Sequence, residues 1–270
     1  MTGYAVSTRA GSRAVPAAVA AGVLAGAAAG WVIVAHRMAG MDMSPGGDPG
    51  GVGWFAITWV VMTAAMMLPG SVPAVVRAAQ GRPGAAAPTA AGFVTGYGLV
   101  WLVAGLAGYA CVQAVRALDL GALGWASAGR YAAAGTVIAA GLYQLTPVKR
   151  RWLARCVAPE RHRGGSGSVR GALLAGADHG VCCVACCWTL MVALYALGIM
   201  SVTWMVVVTV LIAGERLLAY GSQVVSSTAV TAVAAVLLAL GAGIAAAPAS
   251  VPGLTIPAPG HVAAMGMSMG

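Results

Sequence analysis

Apolar residues in this chain gather into long, nearly uncharged runs, separated by short stretches rich in Gly, Pro and Arg. Seven such runs lie at roughly 14–35, 52–78, 90–115, 131–147, 171–198, 202–220 and 224–247. A bilayer crossing needs about 20 mostly apolar residues in a helix, so each run predicts a membrane span. Pro69 and Pro73 predict a kink or break in the second run, with its C-terminal part lying along the interface. The segments Gly81–Pro88 and 248–260 read as flexible connectors. No internal repeat is evident, and no loop is long enough for a separate soluble domain. The expected fold is an all-α, polytopic transmembrane helix bundle of about seven spans. It divides into an N-terminal anchor helix with its outer loop (1–51), the main bundle (52–247) and a flexible outer tail (248–270).

Composition excludes a soluble alternative. Only 8% of the residues are charged and 60% are hydrophobic, against about 25% and 45–50% in a soluble domain. Fifteen Lys or Arg and six Asp or Glu cannot coat a water-soluble surface. Glycine, at 39 residues against 2 Phe, suits the close helix packing of bundles in lipid. The net charge of +9 does not point to nucleic acid, because the basic residues follow membrane topology. Arg9, Arg13, Arg77, Arg82, Lys149, Arg150, Arg151, Arg155, Arg161, Arg163, Arg170 and Arg216 fall on one side, and only Arg37, Arg116 and Arg130 on the other. That split places the N-terminus in the cytoplasm and the C-terminus outside. The first run exceeds the roughly 7–15 apolar residues of a signal peptide, so it is expected to remain as an anchor.

Sulfur is distributed unevenly. Met38, Met41 and Met43 cluster in the first outer loop, and Met265, Met267 and Met269 close the chain downstream of His261. Both clusters fall outside in a topology derived from Lys and Arg alone. Thioether and imidazole ligands select Cu(I), whereas oxygen ligands suit Mg, Ca or Mn. Met also serves as a flexible apolar filler, but exposed loops need no filler. Within the second span, Trp59, Met62 and Met66 share a stripe, with Met67 beside it.

The fifth span carries the strongest signal, Asp178-His179-Gly180-Val181-Cys182-Cys183-Val184-Ala185-Cys186-Cys187. On a helix His179, Cys183 and Cys186 lie within about 60° of one another, flanked by Cys182 and Cys187. A lone buried Cys is usually a small hydrophobe; four in six positions beside a His are expected to bind metal. A thiolate within a bilayer needs a neutralising cation, which Cu(I), or second to it Zn(II), supplies. Asp178 and Glu215 are the acids within spans, each costing ~2.5–3.5 kcal/mol at a helix centre. Their candidate roles are charge compensation, orientation of His179 or proton carriage. For Glu215 the alternative is an ion pair with Arg216 or Lys149. Cys156, in the inner basic loop, is a candidate exit ligand, and Cys111 reads as packing.

These motifs resemble a bacterial family of predicted metal-binding integral membrane proteins, a former domain of unknown function often labelled copper chaperone. Its Trp-x-x-Met-x-x-Ala-Met-Met-x-Pro element is matched by Trp59, Met62, Ala65, Met66, Met67 and Pro69. Its Tyr-Gln-Leu-Thr-Pro-x-Lys element falls on Tyr143 through Pro147 and Lys149, and its Cys-x-Gly-Cys-Cys-Trp element on Cys183, Cys186, Cys187 and Trp188, with Met191 following. Ala185 stands where that Gly is expected, and Glu215-Arg216 matches a downstream Glu-Lys. The family pattern Cys-Leu-x-x-Cys-Arg-x-Pro is broken here by Trp152 and Val157, leaving Leu153, Cys156 and Pro159. An inner two-cysteine site is therefore not expected. The resemblance implies metal binding in the bacterial inner membrane and no established reaction.

Together these readings predict a copper-handling membrane protein that is not an enzyme. Outer methionines collect Cu(I), and the Met62/Met66/Met67 and Cys182–Cys187 faces hold it. The ion then crosses the bundle or passes to a copper-dependent enzyme or a soluble copper carrier. Two rivals stand beside it: a thiol-disulfide oxidoreductase using Cys183 and Cys186, and a structural assembly subunit in which sulfur merely packs.

Overall fold

A computed structural model describes residues 5–38, 51–80, 83–117, 125–158, 168–198, 202–222 and 227–247. The described residues are helical almost throughout, as the apolar runs predict. The helices are α1 (Ala5–Met38), α2 (Val52–Gln80), α3 (Ala86–Ala117), α4 (Trp125–Gln144), α5 (Pro147–Val157), α6 (Val169–Gly198), α7 (Val202–Ser222) and α8 (Ser227–Ala246), with a 3-10 turn at Pro83–Ala85 before α3. Among the described residues, six stretches are long and apolar enough to cross a membrane: Ala14–Arg37, Val52–Gln80, Ala86–Ala114, Val169–Tyr195, Val202–Tyr220 and Thr228–Ala246. Large apolar side chains on their outer surfaces, among them Val103, Leu174, Val210 and Leu218, are exposed, which suits contact with acyl chains.

Two elements differ from the pattern read along the chain. The fourth apolar run, 131–147, ends three residues earlier, in α4. That helix packs against α8 and α6. The basic loop expected from Lys149 onward begins instead inside the 11-residue helix α5. Thr146 caps it by accepting from the Lys149 N–H, and Pro147 occupies its first turn, where a missing N–H costs nothing. At ~1.5 Å per residue α5 is far too short to span. Its inner face, Lys149, Leu153 and Cys156, is buried against α6 and α7. Pro69 and Pro73 do not break α2, which runs through both.

α6 is the centre of the bundle, touching α2, α3, α4, α5 and α7. Its closest partner is α3, through two glycine ladders of identical spacing: Gly92 and Gly96 of α3 lie against Val169 and Leu173 of α6, and Gly176 and Gly180 of α6 lie against Phe93 and Tyr97 of α3. A Cβ at Gly96 would collide with the Leu173 carbonyl, and one at Gly176 with the Phe93 carbonyl. Only Gly lets two helix backbones meet so closely. That approach delivers Phe93 and Tyr97 of α3 against the cysteine face of α6.

Candidate metal centre

The cysteine stripe of α6 turns inward. Cys182, Cys183, Cys186 and Cys187 are all buried, in one core cluster with Met62, Met66, Met67, Tyr97 and Trp101. The i,i+4 spacing puts Cys183 and Cys187 on one side of the stripe and Cys182 and Cys186 on the other, toward α5. There Cys156, buried on the inner face of α5, brings its Sγ to 3.8 Å from Cys186 Sγ. Cys187 Sγ lies 3.3 Å from Cys186 Sγ. Two metal–sulfur bonds of about 2.3 Å set sulfurs about 3.8 Å apart at a tetrahedral angle and about 4.6 Å apart in line. Cys156 and Cys186 therefore stand at bridging distance, whereas Cys186 and Cys187 are too close to share one ion comfortably.

A cation already faces these sulfurs. Arg216 of α7 is 1% exposed, and its Nη2 donates to Cys183 Sγ at 2.6 Å, with Cys186 and Cys187 Sγ each at 3.6 Å. Its Nη1 donates to Ser71 Oγ of α2 at 3.4 Å. Gly70 makes the passage: a Cβ there would stand 3.1 Å from Arg216 Cδ. The Tyr97 hydroxyl shares a 3.0 Å hydrogen bond with the Cys183 thiol. Among the described residues no three His, Cys, Asp or Glu side chains surround a point fit for a metal ion. The thiols are organised on the guanidinium instead.

The second charge pair sits on the α5 side. Lys149 Nζ donates to Glu215 Oε2 at 2.8 Å and to the Cys186 carbonyl at 2.8 Å, all but completely shielded from solvent. Burial opposes the ammonium charge, but Cys187, Cys186 and the Glu215 carboxylate hold the Lys149 pKa above its ordinary value. Hydrogen bonds with Cys182 and Cys186, then burial, push the Cys156 thiol up, so without metal it stays neutral. The Tyr143 hydroxyl donates to the Ala185 carbonyl at 2.8 Å, a further tie between the α4–α5 corner and the cysteine turn.

The other expected site residues are placed as follows. His179 is buried one turn before Cys183, its ring 5.6 Å from Phe93 and 5.8 Å from Tyr97. Asp178 is not brought to the thiols. It points outward, 57% exposed, and pairs with Arg155 at 3.1 Å, a surface ion pair of little energetic weight. Its neighbour His179 is turned about 100° further round the helix, which separates the two. Glu215 joins the site through Lys149, one of the two pairings the sequence left open. Met38 closes α1, but its side chain lies outside the described residues, as do Met41, Met43, Met265, Met267 and Met269.

Nothing in the spacing along the chain places Arg216, Tyr97 and Ser71 at the site, and Cys156 and Lys149 stand closer to it than the sequence suggests. Topology alone accounts for basic residues near span ends, and for Arg216 the intramembrane neighbour Glu215 is the available signal.

A family model described as PpoB2, copper chaperone, matches residues 56–241 of the 270. No curated protein and no solved structure matches the chain.

Proposed function

The chain belongs to the PpoB2 copper chaperone family, and from that premise we propose that it carries Cu(I) within the membrane. In this reading the outer Met clusters collect the ion, and the buried thiols of α5 and α6 hold it. A copper-dependent enzyme or a soluble copper carrier then receives it. The membrane is the bacterial inner membrane, with the N-terminus inside.

One observation supports this most: five thiols from two helices, Cys156, Cys182, Cys183, Cys186 and Cys187, are buried together beside charged groups. Sulfur that merely packs does not need a guanidinium and an ammonium among it, since desolvating each charge costs several kcal/mol. Thiolate ligands do, because each brings a negative charge into a region without water. Soft sulfur donors in this number suit Cu(I), with Zn(II) second. Met62, Met66 and Met67, in the same core, supply neutral thioethers on the α2 side.

The test is metal content of the purified protein in detergent. Wild type is expected to retain Cu(I) through chelator washing. Cys183→Ser with Cys186→Ser is expected to lose at least nine-tenths of it, and Cys156→Ser to loosen it about tenfold. Removal of residues 261–270 is expected to slow loading without lowering final occupancy. Equal occupancy in wild type and the double Cys variant overturns the reading.

A further inference from the structure

We propose that Arg216 is the built-in counter-cation of the thiolate pocket and makes it selective for a monovalent soft ion over a divalent one. This inference rests on the copper reading and adds to it the residue that sets the choice of metal.

The charges around the sulfurs can be counted. Lys149 and Glu215 form a closed pair at 2.8 Å and cancel. Arg216 is buried, its Nη2 directed at sulfur and its Nη1 at a serine hydroxyl, and no carboxylate among the described residues forms an ion pair with it. It leaves one positive charge at the pocket. A Cu(I) ion held between two thiolates is a complex of charge −1, so the loaded pocket sums to zero. A Zn(II) ion between the same two thiolates is neutral and leaves the guanidinium uncompensated in a medium where an unpaired charge is costly. To recover balance, zinc would need more thiolates. Its preferred closed shell has four donors.

Geometry works in the same direction. The guanidinium holds Cys183 at 2.6 Å and stands 3.6 Å from Cys186 and Cys187. Four donors can gather round one ion only if it is expelled. Expulsion is obstructed, because the side chain is threaded past Gly70 and tied to Ser71. Two-coordination needs no such movement: the sulfurs of Cys156 and Cys186, 3.8 Å apart, open by under 1 Å to the roughly 4.6 Å of a linear bridge. Arg216 thus both fills the space a larger donor shell would require and supplies the charge a two-thiolate shell leaves over.

Cancelling that charge should therefore change metal preference rather than abolish metal binding. The experiment uses the full chain in detergent, titrated with Cu(I) and separately with Zn(II) against competing chelators, with thiolate-to-copper absorption as a direct readout. Wild type is expected to bind Cu(I), and Arg216→Gln to lower its Cu(I):Zn(II) affinity ratio at least a hundredfold. Ser71→Asp places a carboxylate beside Nη1 and neutralises Arg216 without removing it, so it too should lower the ratio at least tenfold. Ser71→Asn, of the same shape as Asp but without its charge, should lower the ratio far less than Ser71→Asp does. If Arg216→Gln does not fold, the Asp and Asn variants decide alone. An unchanged ratio in the Asp variant, or equal losses with Asp and Asn, overturns the inference. Wild type that binds no Cu(I) overturns instead the reading on which it rests.

Discussion

Gly176→Leu is expected to force α3 and α6 apart and to destabilise the folded bundle strongly. The site has no slack: even a methyl group at Gly176 would be driven into the Phe93 carbonyl and Cα, and Gly96 of α3 is equally closed by Leu173. Overpacking of a close-packed site typically costs 1–3 kcal/mol. Here the obstacle is backbone rather than a side chain that can rotate away, so a cost of about 3 kcal/mol or more is expected for Leu and about 1–3 kcal/mol for Ala. Because the crossing positions Tyr97 over Cys183 at 3.0 Å, copper retention should fall in the same order. Thermal unfolding in detergent, followed by tryptophan emission, measures the first effect and metal content the second. Leu at Gly98, whose added Cβ meets nothing within 4 Å, is the control and should leave both unchanged. If Gly176→Leu unfolds at the wild-type temperature, the glycine ladder is not what joins the two helices.

The helices of this bundle were legible in the chain because length and apolarity alone decide a lipid-embedded helix. The cysteine face of α6 was legible for a similar reason: four cysteines at helical spacing define a stripe wherever the helix lies. Relations between helices were not. Nothing in local periodicity brings Arg216 to Cys183, 33 residues away, or Lys149 to Glu215, 66 residues away. Positive charge near an inner span end has a sufficient explanation in orientation, and that explanation concealed the second role of both residues. Asp178 shows the converse. Its position inside an apolar run suggested a buried acid, but its side of α6 faces outward, where Arg155 of the short helix α5 meets it. α5 itself hid behind its own charge. Its four basic residues, Lys149, Arg150, Arg151 and Arg155, make it read as loop, while Lys149, Leu153 and Cys156 recur at helical spacing on one buried face.

Lys149→Met is expected to be among the most destabilising single changes that leave the helices intact. Lys149 and Glu215 are both sealed from solvent, and a buried pair broken from one side leaves a carboxylate with neither partner nor water. Such breaks cost about 3–5 kcal/mol. The loss also frees the Cys186 carbonyl, which Lys149 Nζ engages at 2.8 Å, and loosens α5, so Cys156 should become open to a thiol-alkylating reagent. Adding Glu215→Gln removes the stranded charge, and a buried pair replaced on both sides is often tolerated at little cost. The double variant should therefore regain most of the lost stability. It should also keep the wild-type preference for Cu(I) over Zn(II), because Lys149 and Glu215 cancel and Arg216 still carries the residual charge. Stability and metal choice are thus separable in one pair of proteins. Lys149→Met alone moves the unfolding transition, Ser71→Asp moves the metal ratio, and the Lys149→Met/Glu215→Gln pair moves neither far. A double variant less stable than Lys149→Met would show that the two charges do not compensate each other, and with that the count of charges around the thiols would fail.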